Sequence, residues 1–209
     1  MMQAFRALEA DVRVVAIVDP RAEEIRQEIA ADPYFERVSF YDTAASMLAS
    51  ASLDGVFIGT RCSLHTPLAI QVLNSGLPLF LEKPVCISPE QYERLAAAAK
   101  GRESRVLVSF PLRLTAVAQA MKRVVDAGTL GRITMVQAIN NVPYGSVYYH
   151  SWYRDANETG GLFLQKMTHD IDYIHYLIGE VPVDAFARTA KLYFRGDKPA
   201  GLHLSLIHI

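Results

Sequence analysis

Leu77-Pro78-Leu79-Phe80-Leu81-Glu82-Lys83-Pro84 decides how this chain is read. An apolar run without polar alternation reads as a strand buried on both faces, the kind found in a parallel sheet. Here the run closes on an ionisable pair, Glu82-Lys83, and Pro84 restrains Lys83 to extended backbone. A lysine held at such a strand exit can polarise a hydroxyl or carbonyl oxygen, or lower the pKa of a neighbouring acid. The plain alternative is a surface salt pair.

The flanking segments repeat the pattern. Val12–Val18, Val38–Tyr41, Leu53–Ile58 and Arg105–Phe110 read as further strands. Arg21–Ala31, a segment capped by Asp42 and running to Ser50, Leu64–Asn74 and Pro89–Lys100 read as the helices between them. Pro33 stops the first helix, Gly76 the third, and Pro89 opens the fourth at a first helical position. Strands without polar alternation, separated by helices, imply a parallel sheet covered on both faces. From about residues 111–113 the style changes. Leu114–Ala127 reads as a helix ended by Gly128, and Arg132–Asn141 alternates as an antiparallel strand with one wet face does. Tyr144–Asp155 is an aromatic, irregular candidate site loop carrying Tyr144, Tyr148, Tyr149, His150 and Trp152. Gly161–Ile178 reads as a helix and Val183–Phe194 as a strand.

Composition bounds the function. The 209 residues are 51% hydrophobic with a net charge of -1, ordinary for a globular chain. Near-zero charge argues against a nucleic-acid partner. No apolar run is long enough for a membrane span. Cys62 and Cys86 lack metal-site spacing and suit a reduced, cytoplasmic compartment. Asn157-Glu158-Thr159 matches a glycosylation sequon and is read as incidental.

Several residues stand where chemistry would need them. Asp19, after the first strand, is placed like the acid that bonds an adenosine ribose in a doubly wound nucleotide domain; its alternative is a turn aspartate beside Pro20. An acid there favours NAD by repelling a 2′-phosphate, while Arg21 could neutralise one. Gly59-Thr60 follows the third strand on the carboxyl edge, where ligands bind. His65 opens the next helix, and its alternative is a packed helix-start histidine. Beyond Gly160-Gly161, Lys166, His169, Asp172 (or Tyr173) and Tyr176 recur at helical spacing as a polar stripe. Such a stripe on a buried helix needs partners. Substrate hydroxyls could supply them, or a His169–Asp172 hydrogen bond could. Histidine is the natural proton carrier near neutral pH. Together with Lys83 it suggests a carbon–oxygen redox site.

These motifs, taken in order, resemble the Gfo/Idh/MocA family of nicotinamide-dependent oxidoreductases, which act on sugars, inositols and related polyols. The resemblance rests on Asp19, on Leu53–Thr60 with His65, on Glu82-Lys83-Pro84 and on Arg113. It continues through Gly128-Thr129-Leu130-Gly131, Trp152, Gly160-Gly161 and His169-Asp170-Ile171-Asp172. It implies a Rossmann-type domain over 1–112 and the start, over 113–203, of an α/β domain with a large, open, mainly antiparallel sheet. That sheet often packs against another subunit, so a homo-oligomer is implied. Lys83 is implied as the catalytic lysine and His169 as the general acid/base. Cofactor contacts fall to Asp19, Gly59, Thr60, His65, Glu82, Lys83 and Arg113, and substrate contacts to Lys166, Asp172 and Trp152. A cis bond before Pro84 is also implied. The cofactor is NAD or NADP, the substrate a polyol, and no metal is required.

Three departures are visible. The opening strand and glycine-rich turn of the family are missing from this sequence, so the chain is expected to be truncated and to bind cofactor weakly. Gln165 stands four residues before His169, where many members carry aspartate. Arg61 replaces the usual proline after the third-strand threonine. The ends agree with truncation. Met1–Glu9 reads as the middle of a helix, and Leu204-Ser205-Leu206-Ile207-His208-Ile209 matches the translation of a transposon end used in sequencing libraries. Residues 204–209 are therefore expected to be non-native. Two rivals share the motifs: a redox-assisted glycosidase of the same family, and a non-catalytic binding or assembly protein on the same fold.

Overall fold

In a computed structural model the chain is described at Phe5, at Ala7 and over residues 11–141 and 151–190. It divides into two compact units. The first comprises Met1–Thr60, Leu64–Val85 and Pro89–Val108; the second comprises Arg61–Ser63, Cys86–Ser88 and Ser109–Ile209.

The first unit alternates strand and helix as the apolar runs require: β1 (Ala16–Ile17), α1 (Ala22–Ile29), β2 (Ser39–Phe40), α2 (Ala44–Ser50), β3 (Val56–Ile58), α3 (Cys62–Ser75), β4 (Leu79–Leu81), α4 (Pro89–Ala99) and β5 (Val106–Val108). Every ladder is parallel. β1 pairs with β2, and β3-β4-β5 form a second sheet with Ile58 opposite Leu81 and Leu81 opposite Val108. The Rossmann-type α/β reading therefore holds for this unit.

Period-2 geometry sorts the side chains of β3 and β4. Ile58, Leu79 and Leu81 join Ala69, Val72 and Leu73 of α3 in one core cluster. Phe57 and Phe80, opposite each other in register, stack on the other face at 4.7 Å. Ile25, Ile29, Tyr34 and Phe35 form a second cluster with Ile17 and Phe40 packed on it. Phe5 packs on that second cluster and also meets Phe57 edge-on at 5.3 Å, so it links that cluster to the Phe57–Phe80 stack.

β1 is shorter than the apolar run Val12–Val18 predicts. Tyr34 explains this: its hydroxyl donates to the Val12 carbonyl at 2.7 Å and accepts from the Val14 N–H at 3.2 Å. A side chain thus takes backbone groups that a ladder would otherwise use. The cap of α2 also shifts by one residue, from the expected Asp42 to Thr43. The Thr43 hydroxyl accepts from the Ser46 N–H in a reciprocal capping box.

The second unit carries α5 (Ala116–Asp126), the short α6 (Ala156–Thr159) and α7 (Leu162–Ile178). Thr115 caps α5 through the Ala118 N–H. The predicted antiparallel sheet is not formed among the described residues. Arg132–Asn141 and 181–190 have no ladder partners, and Met135 and Phe186 stand almost fully exposed. Alternation gives a strand two faces, but only a neighbour about 4.8 Å away completes its hydrogen bonds. Near the end of Arg132–Asn141, Asn140 Nδ2 donates to Asp170 Oδ1 at 2.7 Å. The predicted N-terminal helix over Met1–Glu9 (save Phe5 and Ala7), Tyr144, Tyr148, Tyr149 and His150, the end of the strand predicted to reach Phe194, and residues 204–209 lie outside the described residues. Among the described residues no helix is long and apolar enough to cross a membrane.

Leu81, 1% exposed at the centre of its sheet, and Leu107, 62% exposed on the adjacent strand, make a matched pair. Leu81→Ala is expected to lower stability by about 2–5 kcal/mol and Leu107→Ala by about 0.5 kcal/mol or less, read from urea midpoints.

Candidate active site

The in-register pairing of β3 and β4 sends Gly59-Thr60 and Glu82-Lys83 out of one sheet edge side by side. The ladder continues one residue further, with the Glu82 N–H donating to the Ile58 carbonyl at 2.9 Å. Gly59 and Thr60 are exposed, and Glu82 and Lys83 are half-buried. The Lys83–Pro84 peptide is cis, as the family resemblance implies.

His65 holds these exits together. Its ring is 1% exposed, with Nδ1 at 2.7 Å from the Pro84 carbonyl oxygen and Nε2 at 3.1 Å from that of Thr60. One imidazole therefore spans the loop after β3 and the loop after β4. Its neighbour Thr66 adds a bond from its hydroxyl to the Val85 carbonyl at 2.9 Å. Both ring nitrogens face backbone, so the structure places His65 beneath the edge as a brace.

Asp19, two residues beyond β1, accepts from the Arg21 N–H at 2.8 Å, and the Arg21 guanidinium lies 3.5 Å away. The Asx-type turn and a ligand-facing carboxylate are compatible, because a carboxylate has two oxygens and about four acceptor positions.

In the second unit, two glycines set the start of α7. Gly160 has φ +70°, and a Cβ there would lie 2.5 Å from Leu164 Cδ2 and 3.0 Å from the Ile87 carbonyl oxygen. Gly161 follows at φ 92° and ψ 164°, a region essentially reserved for glycine. The helix then presents the predicted stripe. Asp172 is buried and accepts two bonds from Arg113, one of them Nε to Oδ2 at 2.9 Å. This hydrogen-bonded carboxylate raises the Arg113 pKa above its ordinary value. The Phe110 ring meets His169 edge-on at 6.1 Å, and Tyr176 lies 5.5 Å from the Arg113 guanidinium. The segment Phe110–Arg113 thus grips α7 at His169 and again one turn later. Arg113 and Asp172, expected to serve cofactor and substrate separately, are brought together as partners.

Gln165 is 3% exposed, and its amide donates to Cys62 Sγ at 3.4 Å. Lys166 is half-buried beside it. A cavity of about 450 Å³ opens along Phe110, Phe163, Met167, Thr168 and His175, and His169 does not line it. Glu158, which sequence reading passed over inside the apparent sequon, accepts from Arg61 and from the Ser63 hydroxyl. Trp152 lies near Arg61 in the same cluster. Among the described residues no cluster of His, Cys, Asp and Glu could hold a metal. Burial raises the Cys86 thiol pKa, which favours the neutral thiol.

Comparison with known proteins supplies the family. A model described as "Oxidoreductase family, NAD-binding Rossmann fold" matches residues 1–110. This chain belongs to the Gfo/Idh/MocA oxidoreductase family. The GFO/IDH/MocA C-terminal domain matches residues 118–204. Inositol 2-dehydrogenase of Rhizobium meliloti is 27% identical over 192 residues, covering 92% of this chain and 55% of the relative. The scyllo-inositol 2-dehydrogenase (NAD(+)) of Bacillus subtilis is 28% identical over 180 residues, covering 80% and 46%. The WlbA dehydrogenase of Bordetella pertussis, solved with NADH and UDP-GlcNAcA, superposes with a TM-score of 0.71. It is 26% identical, over 84% of this chain and 50% of its own. The chain spans about half the length of the curated relatives it matches.

Two substitutions test the local geometry. Gly160→Ala meets both a left-handed backbone and occupied space, so it is expected to cost about 2–4 kcal/mol. His65→Ala removes a buried ring, and the N–H it donates, from between the Pro84 and Thr60 carbonyls and is expected to cost about 2–4 kcal/mol. Denaturant midpoints of the two variants against the parent chain check both values.

Proposed function

We propose that the protein is an NAD(P)-dependent oxidoreductase that moves a hydride between nicotinamide and the CH–OH carbon of a sugar, inositol or related polyol. Lys83 and His169 are its catalytic residues. The observation that carries this reading is the paired exit of Gly59-Thr60 and Glu82-Lys83 from adjacent in-register strands, braced by His65. Ligands of open parallel sheets bind at that carboxyl edge. The names of the two dehydrogenase relatives support the substrate class.

The residues present fit the cofactor at two of its ends. Asp19 is an acceptor suited to ribose hydroxyls, and Thr60 and Glu82-Lys83, at the carboxyl edge of the sheet, are assigned to the nicotinamide side in this reading. Arg21 is engaged with Asp19, which supports NAD over NADP. Nicotinamide, when bound, supplies the hydride acceptor or donor. In the oxidative direction an imidazole nitrogen of His169 takes the substrate hydroxyl proton. The Lys83 ammonium stabilises the charge developing on the same oxygen. Both groups must come within hydrogen-bond reach of that oxygen. The Arg113–Asp172 pair holds α7 one turn beyond His169, and Lys166 and Trp152 contact substrate. A homo-oligomer formed through a C-terminal sheet, as the family resemblance implies, belongs to the same reading.

One observation favours a second reading, a non-catalytic binding protein on this fold. Gln165 stands where many members carry aspartate, and it is buried against Cys62.

In the protein expressed from its complete gene, His169→Ala is expected to lower turnover about 10²–10⁴-fold while NADH affinity is kept. Unchanged turnover would remove the histidine from the mechanism. A parent protein with no turnover on any polyol would favour the second reading.

A further inference from the structure

Arg61 is the residue at which this chain departs from the proline usual in the family it resembles, and the structure gives that arginine two distant partners. Its guanidinium Nη1 donates to Glu158 Oε1 at 3.3 Å, across 97 positions of sequence. The other carboxylate oxygen of Glu158 accepts from the Ser63 hydroxyl, two residues beyond Arg61. The same guanidinium lies 5.8 Å from the centroid of the Trp152 ring, inside the range of a cation–π contact. Trp152 is also in contact with Tyr153, ring centroids 4.2 Å apart. The segment bearing these rings runs through the short helix α6 directly into Gly160-Gly161 and α7.

We propose that Arg61, Glu158 and Ser63 form a latch that fixes Trp152, making Arg61 a positioning residue for substrate. This rests on the reading of Trp152 as a substrate contact. Glu158 is the hinge of the argument. Its carboxylate binds Arg61, just before α3, and Ser63 in the first turn of α3, and it stands six residues beyond Trp152. Either bond alone would tether the segment. The two together, with the guanidinium beside the indole, fix both the path of the chain and the orientation of the ring. Arg61 is neutralised by Glu158, so the latch adds no net charge beside Trp152. It therefore suits an uncharged hydroxylated ring better than an acid sugar.

Trp152 is the single tryptophan of the chain, so its fluorescence reports the latch without any turnover. Arg61→Met keeps the apolar stem without the charge, and Glu158→Gln keeps the shape without the carboxylate. Each variant is checked for folding by far-UV circular dichroism. Both are expected to shift the emission to longer wavelength and to increase acrylamide quenching, and the double variant should add little to either. In the active protein from the complete gene, both are expected to raise KM for a neutral polyol about tenfold while kcat and NADH affinity hold. Arg61→Lys, which restores the charge, should recover part of that loss. Unchanged emission and quenching in both single variants would overturn the latch. Altered fluorescence with unchanged KM in an active enzyme would overturn its role toward substrate. A protein that shows the fluorescence changes but never turns over would keep the latch and lose the function proposed above.

Discussion

The candidate cofactor edge depends on one buried imidazole. His65 reaches the Thr60 and Pro84 carbonyls from the first turns of α3, and so ties together two loops that leave neighbouring strands. Parallel pairing of β3 and β4 brings those loops to the same edge, but pairing ends with the ladder. Beyond it, Thr60 and Lys83 need another constraint to stay in place. A buried ring with both nitrogens directed at backbone provides it, and Thr66 extends the same seam to Val85. The packing beneath follows from this arrangement. α3 must lie close along β3 and β4, and Ala69, Val72 and Leu73 make the apolar contact that closes the core.

The second unit solves a comparable problem with different means. Its helix α7 begins where only glycine fits, because Gly160 has Leu164 and Ile87 against it and both glycines have positive φ. It is then held along its length by bonds from remote segments. Gln165 reaches Cys62, Asp172 reaches Arg113, and Phe110 meets His169. The role proposed for His169 calls for a defined ring orientation, and the two grips one turn apart on the same helix restrain the segment that carries it.

Much of this was legible in the sequence, and the limits have physical causes. The apolar runs Val56–Ile58, closing the predicted Leu53–Ile58 strand, and Leu77–Leu81 located β3 and β4, because strands buried on both faces carry no polar alternation. Gly76 and Pro89 marked helix ends through backbone geometry alone. The candidate residues Asp19, Thr60, Glu82 and Lys83 stood out because each follows a readable strand, and His169 because it lies on a readable helix. What escaped was long-range pairing. Nothing local to Asp172 announces Arg113, and nothing local to Glu158 announces Arg61 and Ser63. The Tyr34 hydroxyl shortened β1 in the same unannounced way. Alternation over Arg132–Asn141 predicted a strand, but a pattern of faces does not contain its partner. The predicted sheet therefore failed to appear among the described residues, although the helices around it were placed correctly.

The central claim is that the edge carrying Thr60 and Lys83 is a nicotinamide-cofactor site. The most direct measurement is a titration with NADH and NADPH, followed by nicotinamide fluorescence, of the protein expressed from its complete gene beside this 209-residue chain. The account predicts saturable binding by the former, tighter for NADH, and weak or no binding by the latter. Absence of binding to both proteins would contradict it.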